Sequence, residues 1–375
     1  MKISFSATNP CHVYPLALET ARLDALGCYY SGYPTWKLPD SPEVKVRAHS
    51  LRTNIVYGLL KFAPHRLRPS SRSLFLWQDH GFDRWVGAHL DRCEFIHAMP
   101  GQCLATFRAA RRLGVRTVMN HATGPVREWV RIMEPEYARV GLRLSDICPY
   151  DADYFAREAE EYALADWHCA ASSVVRDQLL AEGIDSQRIW VVPYGADPRI
   201  FHAEHSGSAS DFRIVFAGQV GLRKGLKTLL AALTLGGNPN WRVDLFGAVL
   251  PEAQQDLAAY RGSPPLEFHG AVSQERLAHA FREGSVLVLP SLEEGFGLVI
   301  PQALQCGLPC VVSDRVGGKD LIRHRENGSI FPCGDADALA AELRWWADHR
   351  RRVPESFSWT QPAQRLIALS RAALS

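Results

Sequence analysis

SLEEGFGLVIPQALQCGLPCVVSD, residues 291–314, follows the apolar run SVLVLP (285–290) and closes on a second apolar run. Each run has the length and branched-residue content of a buried strand, while LVIPQALQCG between them has the length of a helix and stops at Gly307. Pro301 is tolerated early in that helix, because first-turn amides lack intrahelical partners. A strand, a tight turn, a helix and another strand make the repeating unit of a parallel sheet. The turn holds Glu294, Gly295, Phe296 and Gly297, where two glycines let backbone amides approach a ligand and a helix start offers partial positive charge. Such a turn suits an oxygen-rich, partly anionic molecule. Glu294 would repel phosphate alone but accepts strong hydrogen bonds from hydroxyls, so a ligand carrying both fits best. On local features, a carboxylate that merely favours a helix N-terminus explains Glu294 equally well.

The same alternation runs outward in both directions. Early strand candidates are KISFSA (2–7), SLFLW (73–77), CEFIHAM (93–99), VRTVMN (115–120), DWHCAA (166–171) and IWVVPYG (189–195). PLALETARLDALG and LATFRAARRLG have helical spacing and stop at glycines. After Phe201 comes the short polar stretch HAEHSGSASD, and the alternation restarts with FRIVFAG, WRVDLFG, LEFHG, VLVLP, PCVVSD and GSIFP. The expectation is α/β: two doubly wound, Rossmann-like domains facing each other across a cleft, residues 1–200 and 212–356 joined by a linker at 201–211. Residues 357–375 form a further helix, with the N-terminal domain as one place for it to pack.

With 375 residues the chain exceeds what one core usually supports, which agrees with two domains. An apolar fraction of 47% and a formal charge of +2 describe an ordinary soluble protein and call for no nucleic-acid partner. No apolar run approaches the roughly 20 residues of a membrane span, and MKISFSATNP lacks a secretory core, so a cytosolic place is expected. The nine cysteines are scattered without a CxxC pair and are expected to be reduced, small, buried side chains.

A second anchor is FAGQVGLRKGLKTLLAAL (216–233). Gly218 and Gly221 open a turn after a strand, and Arg223 and Lys224 precede Gly225 at a helix start. Cations there oppose the helix dipole at about a few tenths of a kcal/mol each, so a reason other than helix stability is expected. A diphosphate leaving group supplies one, since cations stabilise charge developing on its bridging oxygen. The competing reading is a solvated pair on a surface turn.

These two motifs, G-x(5)-K-G after a strand and E-G-F-G-L-V before a helix and C-G-L-P, resemble the retaining nucleotide-sugar glycosyltransferases of family 4 (glycosyl transferases group 1), which have the GT-B fold. ADWHCAASSVVRDQLLAEGI (165–184), WVVPYGADPRIF (190–201) and VGGKDLIRHRENGSIFPCGD are similar to further family segments, and the likeness is good from about Ala165 onward. The resemblance implies that Arg223 and Lys224 contact the donor diphosphate and that Glu294 binds hydroxyls of the transferred sugar. Gly218, Gly221, Gly247, Val272, Gly295, Phe296, Gly297 and Leu298 would complete the donor site. Gln302 stands where the family's E-x(7)-E motif has its ribose-binding glutamate; its amide keeps an acceptor but loses the charge. Gln219 likewise replaces a common arginine, leaving Arg223 as the substitute cation, and TNPCHVY with Asn9 and His12 replaces a glycine-rich turn.

His121, in VMNHATGP, is the candidate for contact with the reacting centre, with His97 as the alternative; a hydrogen-bonded structural histidine is the competing account of either. Asp151-Ala152-Asp153 and Asp335-Ala336-Asp337 precede helices, where capping accounts for them, so no metal and no other cofactor is expected beyond the nucleoside-diphosphate sugar as co-substrate. From Val44 to Trp77 the charges are Lys45, Arg47, Arg52, Lys61, Arg66, Arg68 and Arg72 with no acid, which fits either peripheral contact with an anionic membrane on its cytosolic face or a solvated helix and loop. The expected activity is hexosyl transfer to a saccharide or lipid-linked acceptor in surface polysaccharide or glycolipid assembly. The rivals are a non-catalytic sugar-nucleotide-binding subunit and a GT-B nucleotide-sugar epimerase.

Overall fold

The computed structural model describes residues 1–39, 41–62, 71–147, 150–204 and 211–375. Residues 205–210 of the expected linker, Cys148, and Arg66 and Arg68 of the basic stretch lie outside the described residues.

The first sheet contains β1 (Ile3–Ala7), β2 (Leu26–Ser31), β3 (Val46–Ala48), β4 (Phe95–Ala98), β5 (Arg116–His121), β6 (Trp167–Ala170) and β7 (Ile189–Val191) in the order β3-β2-β1-β4-β5-β6-β7. Its helices are α1 (Val13–Arg22), α2 (Leu51–Phe62), α3 (Ser71–His89), α4 (Leu104–Leu113), α5 (Val126–Arg139), α6 (Leu144–Ile147), α7 (Ala152–Leu164) and α8 (Ser173–Ala181). The second sheet contains β8 (Arg213–Ala217), β9 (Arg242–Phe246), β10 (Leu266–Gly270), β11 (Val286–Leu289), β12 (Cys310–Ser313) and β13 (Gly328–Phe331) in the order β10-β9-β8-β11-β12-β13. Around it lie α9 (Leu226–Gly236), α10 (Gln254–Ala259), α11 (Gln274–Glu283), α12 (Val299–Gln305) and α13 (Ala336–Asp348), and α14 (Thr360–Ala372) ends the chain. All strand pairs are parallel, as expected of strands buried on both faces by crossover helices.

Strand order reverses between β1 and β4 in one sheet and between β8 and β11 in the other. Loops leaving neighbouring strands at such a reversal turn to opposite faces and leave a crevice at the carboxyl ends, the usual ligand site of doubly wound sheets. The chain crosses between domains twice, side by side: the Ala196 amide donates to the Phe357 carbonyl at 2.6 Å. After the second crossing α14 packs on α1, and Thr360 Oγ1 donates to Glu19 Oε2 at 2.9 Å.

Two local expectations are corrected. SLFLW lies within α3 and is no strand: Leu74, Gln78, Phe82 and Val86, four residues apart, are all buried on one helical face. LGCYYS forms β2, so Gly27 is a strand residue and the preceding helix ends earlier, at Arg22. A Cβ on Gly27 would lie 2.7 Å from Ser4 Oγ of the adjacent strand, so the glycine marks close strand packing.

Candidate active site

β8 and β11 are hydrogen-bonded neighbours, so the loops that follow them leave the sheet together at its reversal point. The first loop passes Gly218 and Gly221 and reaches Arg223 and Lys224; α9 begins only at Leu226, after Gly225 at φ 71°. The two cations therefore precede the helix cap and lie outside the first helical turn where the sequence puts them. Gly225 is in the left-handed region and against β11: a Cβ there would stand 2.6 Å from the Pro290 carbonyl carbon. The Leu292 amide donates to the Arg223 carbonyl at 2.9 Å, which ties the second loop to the first.

The cations meet two carboxylates. Lys224 Nζ donates to Glu294 Oε2, and Arg223 Nη1 reaches Glu294 Oε2 at 3.4 Å, Glu293 Oε2 at 3.3 Å and the Glu293 carbonyl at 3.1 Å. Lys224 and Glu293 are buried, and Arg223 and Glu294 are half-buried. Burial pushes the Glu293 carboxyl above the usual range, with the Arg223 charge opposing and the Glu294 charge adding to the rise. Burial acts the same way on Glu294, but Lys224 and Arg223 outweigh it and hold that carboxyl below the usual range. The result is an ionised carboxylate on two cations, each able to exchange partners with an incoming anion or hydroxyl.

The rest of the turn is held from both sides. The Gly317 amide donates to the Glu294 carbonyl at 2.8 Å, and the Gly318 amide to the Phe296 carbonyl at 2.6 Å. From the first domain, Ser172 Oγ donates to the Gly295 carbonyl at 2.6 Å. The backbone after β5 abuts the same residue, so that a Cβ on Gly295 would overlap the Ala122 carbonyl and lie 2.6 Å from Thr123 Cα. Phe296 is buried edge-on against Tyr194, centroids 5.1 Å apart, and Tyr194 stacks on His12 at 4.3 Å.

Gly247 follows β9 and lies against Gly218, while Val272 lies in the loop after β10. Gly297 and Leu298 lead into α12, on which Gln302 is half-buried. Asp151 and Asp335 cap α7 and α13 through the Tyr154 and Ala338 amides, both at 2.9 Å. His121 is different. It has no exposed surface, and its Nε2 lies 3.0 Å from His168 Nδ1, with the ring edge-on to Tyr162. Strand alternation puts it on the Met119 face of β5, under α7, while its neighbour Ala122 meets Gly295. Burial, then the nearby His168, holds its imidazole neutral, well below the usual range. His97 is also buried, 3.1 Å from Asn120 Oδ1, and lowered to about 4 by burial. Among the described residues the hydrogen-bond partners of these rings are His168 and Asn120, and neither ring is bonded to Lys224 or Glu294.

Glu293, Ser172 and the Ala122–Thr123 backbone are absent from the sequence reading. Glu293 is the one with a visible signal, a second acid in the same SLEEGFG run; the others come from a different domain. The domains also touch through Ser173, whose amide donates to Asp320 Oδ2 at 2.6 Å, and through Arg139, which makes two 3.0 Å bonds to Asp256.

Residues 199–359 match the family Glycosyl transferases group 1. The match covers the second domain and less than half of the chain. It is 32% identical over 255 residues to a D-inositol 3-phosphate glycosyltransferase of Streptomyces griseus, covering 59% of this chain and 53% of that one. It is 27% identical over 190 residues to the lipopolysaccharide 1,6-galactosyltransferase of Escherichia coli, covering 48% and 52%. It is also 27% identical over 183 residues to the amylovoran biosynthesis glycosyltransferase AmsK of Erwinia amylovora, covering 46% and 45%. The chain thus spans about half the length of the curated relatives it matches. Among solved structures it is similar to Anabaena Alr3699/HepE in complex with UDP-glucose, at TM-score 0.63 and 16% identity over 99% of this chain and 95% of that one. Sucrose-phosphate synthase from Thermosynechococcus elongatus gives TM-score 0.64 and 20% identity over 100% and 99%. These likenesses show the fold, and the fold is GT-B.

Proposed function

We propose that this chain is a glycosyltransferase that moves a hexose, with retention of configuration, from a nucleoside-diphosphate sugar to a saccharide or lipid-linked acceptor in surface polysaccharide or glycolipid assembly. The observation that carries the reading is the convergence of Arg223 and Lys224 with Glu294 at the reversal of the second sheet. A diphosphate displaces Glu294 from the two cations, and the freed carboxylate accepts hydrogen bonds from sugar hydroxyls. The acceptor hydroxyl attacks the anomeric carbon on the face from which the nucleoside diphosphate leaves. The bond to the phosphate oxygen breaks, and the departing diphosphate takes the acceptor's proton. Arg223 and Lys224 stabilise the charge that develops on that diphosphate, so the site works without an essential metal. The glycosyltransferase relatives, two of them named for lipopolysaccharide and amylovoran, support the class of acceptor.

Gln302 and Gln219 favour a second reading, a subunit that binds nucleotide sugar without turning it over. Thermal stabilisation against a panel of UDP-, GDP- and ADP-sugars identifies the donor, since selective binding raises apparent stability by mass action. Release of nucleoside diphosphate in the presence of acceptor then separates the two readings. Lys224→Ala, which removes a donor, and Glu294→Ala, which removes an acceptor, should each lower turnover by about 10²–10³-fold, the range for loss of one transition-state hydrogen bond. Near-normal rates in both variants would contradict the assignment.

A further inference from the structure

Carboxylates and an imidazole gather at the edge of the second sheet, outside the Lys224–Glu294 cluster. β10 is the edge strand, and its Glu267 pairs directly with Asp244 of β9. The register shifts between Phe268 and Gly270, the kind of irregularity that re-aims a side chain. There His269 Nε2 lies 2.7 Å from Asp244 Oδ1 and 3.9 Å from Glu267 Oε1. The ring stacks on Phe246, centroids 4.4 Å apart, which fixes its plane. One ligand atom from each of Asp244, Glu267 and His269 lies within 4.8 Å of the others. Asp244 is buried, His269 half-buried and Glu267 exposed, so the group has a dry floor and an open side.

Like charges set opposite each other on paired strands cost stability, so this position calls for positive charge. Arg213 supplies part of it, with Nε 3.5 Å from Asp244 Oδ2, but its Nη1 is drawn to Glu283 Oε2 at 2.7 Å. Asp244, Glu267 and Glu283 thus share one guanidinium, and with a neutral imidazole these groups keep two negative charges in excess.

We propose that Asp244, Glu267 and His269 bind a divalent transition metal ion of the zinc class. Imidazole with carboxylates suits such an ion, whereas magnesium and calcium take oxygen alone. Zinc bonds of about 2.1 Å set tetrahedral ligands roughly 3.4 Å apart, a spacing that rotation of the exposed Glu267 side chain can supply. His269 keeps its proton on Nδ1 and turns the Nε2 lone pair to the ion. Arg213 stays on Asp244 Oδ2 as an outer partner that orients the carboxylate, and a water completes the four ligands. The ion clamps β9 to β10 where their loops begin. His269 precedes Gly270, whose carbonyl accepts from the Gly247 amide at 2.7 Å, and Gly247 lies against Gly218. None of the three ligands belongs to the Lys224–Glu294 cluster, so the ion's part is structural and the proposal does not rest on the donor-site reading.

The test is calorimetric titration of the full chain, stripped with EDTA and with its cysteines reduced, by zinc chloride and by magnesium chloride. Zinc should bind one per chain and raise the thermal midpoint, and magnesium should do neither. Glu267→Gln and His269→Gln should each weaken zinc binding about tenfold or more. Glu267 is exposed, so its variant should keep the metal-free midpoint of the parent. No zinc binding, or an equal response to magnesium, overturns the proposal. So does equal zinc binding by the folded variants, which would assign the ion to another site such as the thiols.

Discussion

Adjacent carboxylates at 293 and 294 are driven in opposite directions by neighbours less than one side chain apart. Burial dominates at Glu293 and counter-charge at Glu294, so the Glu293 carboxyl is raised above the usual range and the Glu294 carboxyl is held below it. At His121 and His168 of the first domain, burial and a neighbouring basic group act in the same direction, against the proton. Burial, then Arg188, lowers His168 from 6.5 to about 4. The unfolded chain therefore takes up this proton before the folded one does. The stability that His168 contributes is complete above pH 6.5 and is lost as pH falls towards about 4, at about 1.4 kcal/mol per pH unit. Urea unfolding at pH 7.5 and pH 5 should show a smaller acid loss for His168→Gln than for the parent; equal losses in both would refute the buried, neutral imidazole.

Elements place these side chains by where they start and stop. α9 begins after Gly225, and that one turn decides that Arg223 and Lys224 face Glu294 and do not ride on the helix. The turn before α12 is thin for a reason on the other side of the cleft, where Ala122 and Thr123 leave no room for a side chain at 295. Gly295→Ala should force the domains apart locally, breaking the Ser172 bond and costing about 1–3 kcal/mol, the usual range for overpacking. The measurement is thermal unfolding with and without nucleotide sugar, and a variant as stable and as active as the parent would show that the domains do not meet at this glycine. The legible elements were those with long, unambiguous periods. SLFLW misled because five apolar-rich residues fit a strand and a helix equally, and only the buried 74, 78, 82, 86 series distinguishes them.

Across the whole molecule, two parallel sheets put their reversal points towards one cleft, and α14 returns from the second domain to cover α1 of the first. Leu366 on α14 has no exposed surface and belongs to the same core as Phe5, Leu16 and Phe95. Leu366→Ala should lower stability by about 2–5 kcal/mol, read from the urea midpoint with near- and far-ultraviolet dichroism. A loss below about 1 kcal/mol would mean that the tail helix is not part of the first domain's core.

The sequence by itself determined the two βα series, the strands of the second domain and the pairing of an acidic glycine turn with a basic one, because each rests on local spacing or on a short motif. It could not place Glu293 beside Arg223, seventy residues apart, since that meeting depends on β8 and β11 becoming neighbours at a reversal of strand order. Nor could it turn His121 inward or bring Ser172 onto Gly295. Which face of a strand is covered, and which loop of one domain touches the other, are decided by packing between elements, and a local pattern carries no record of them.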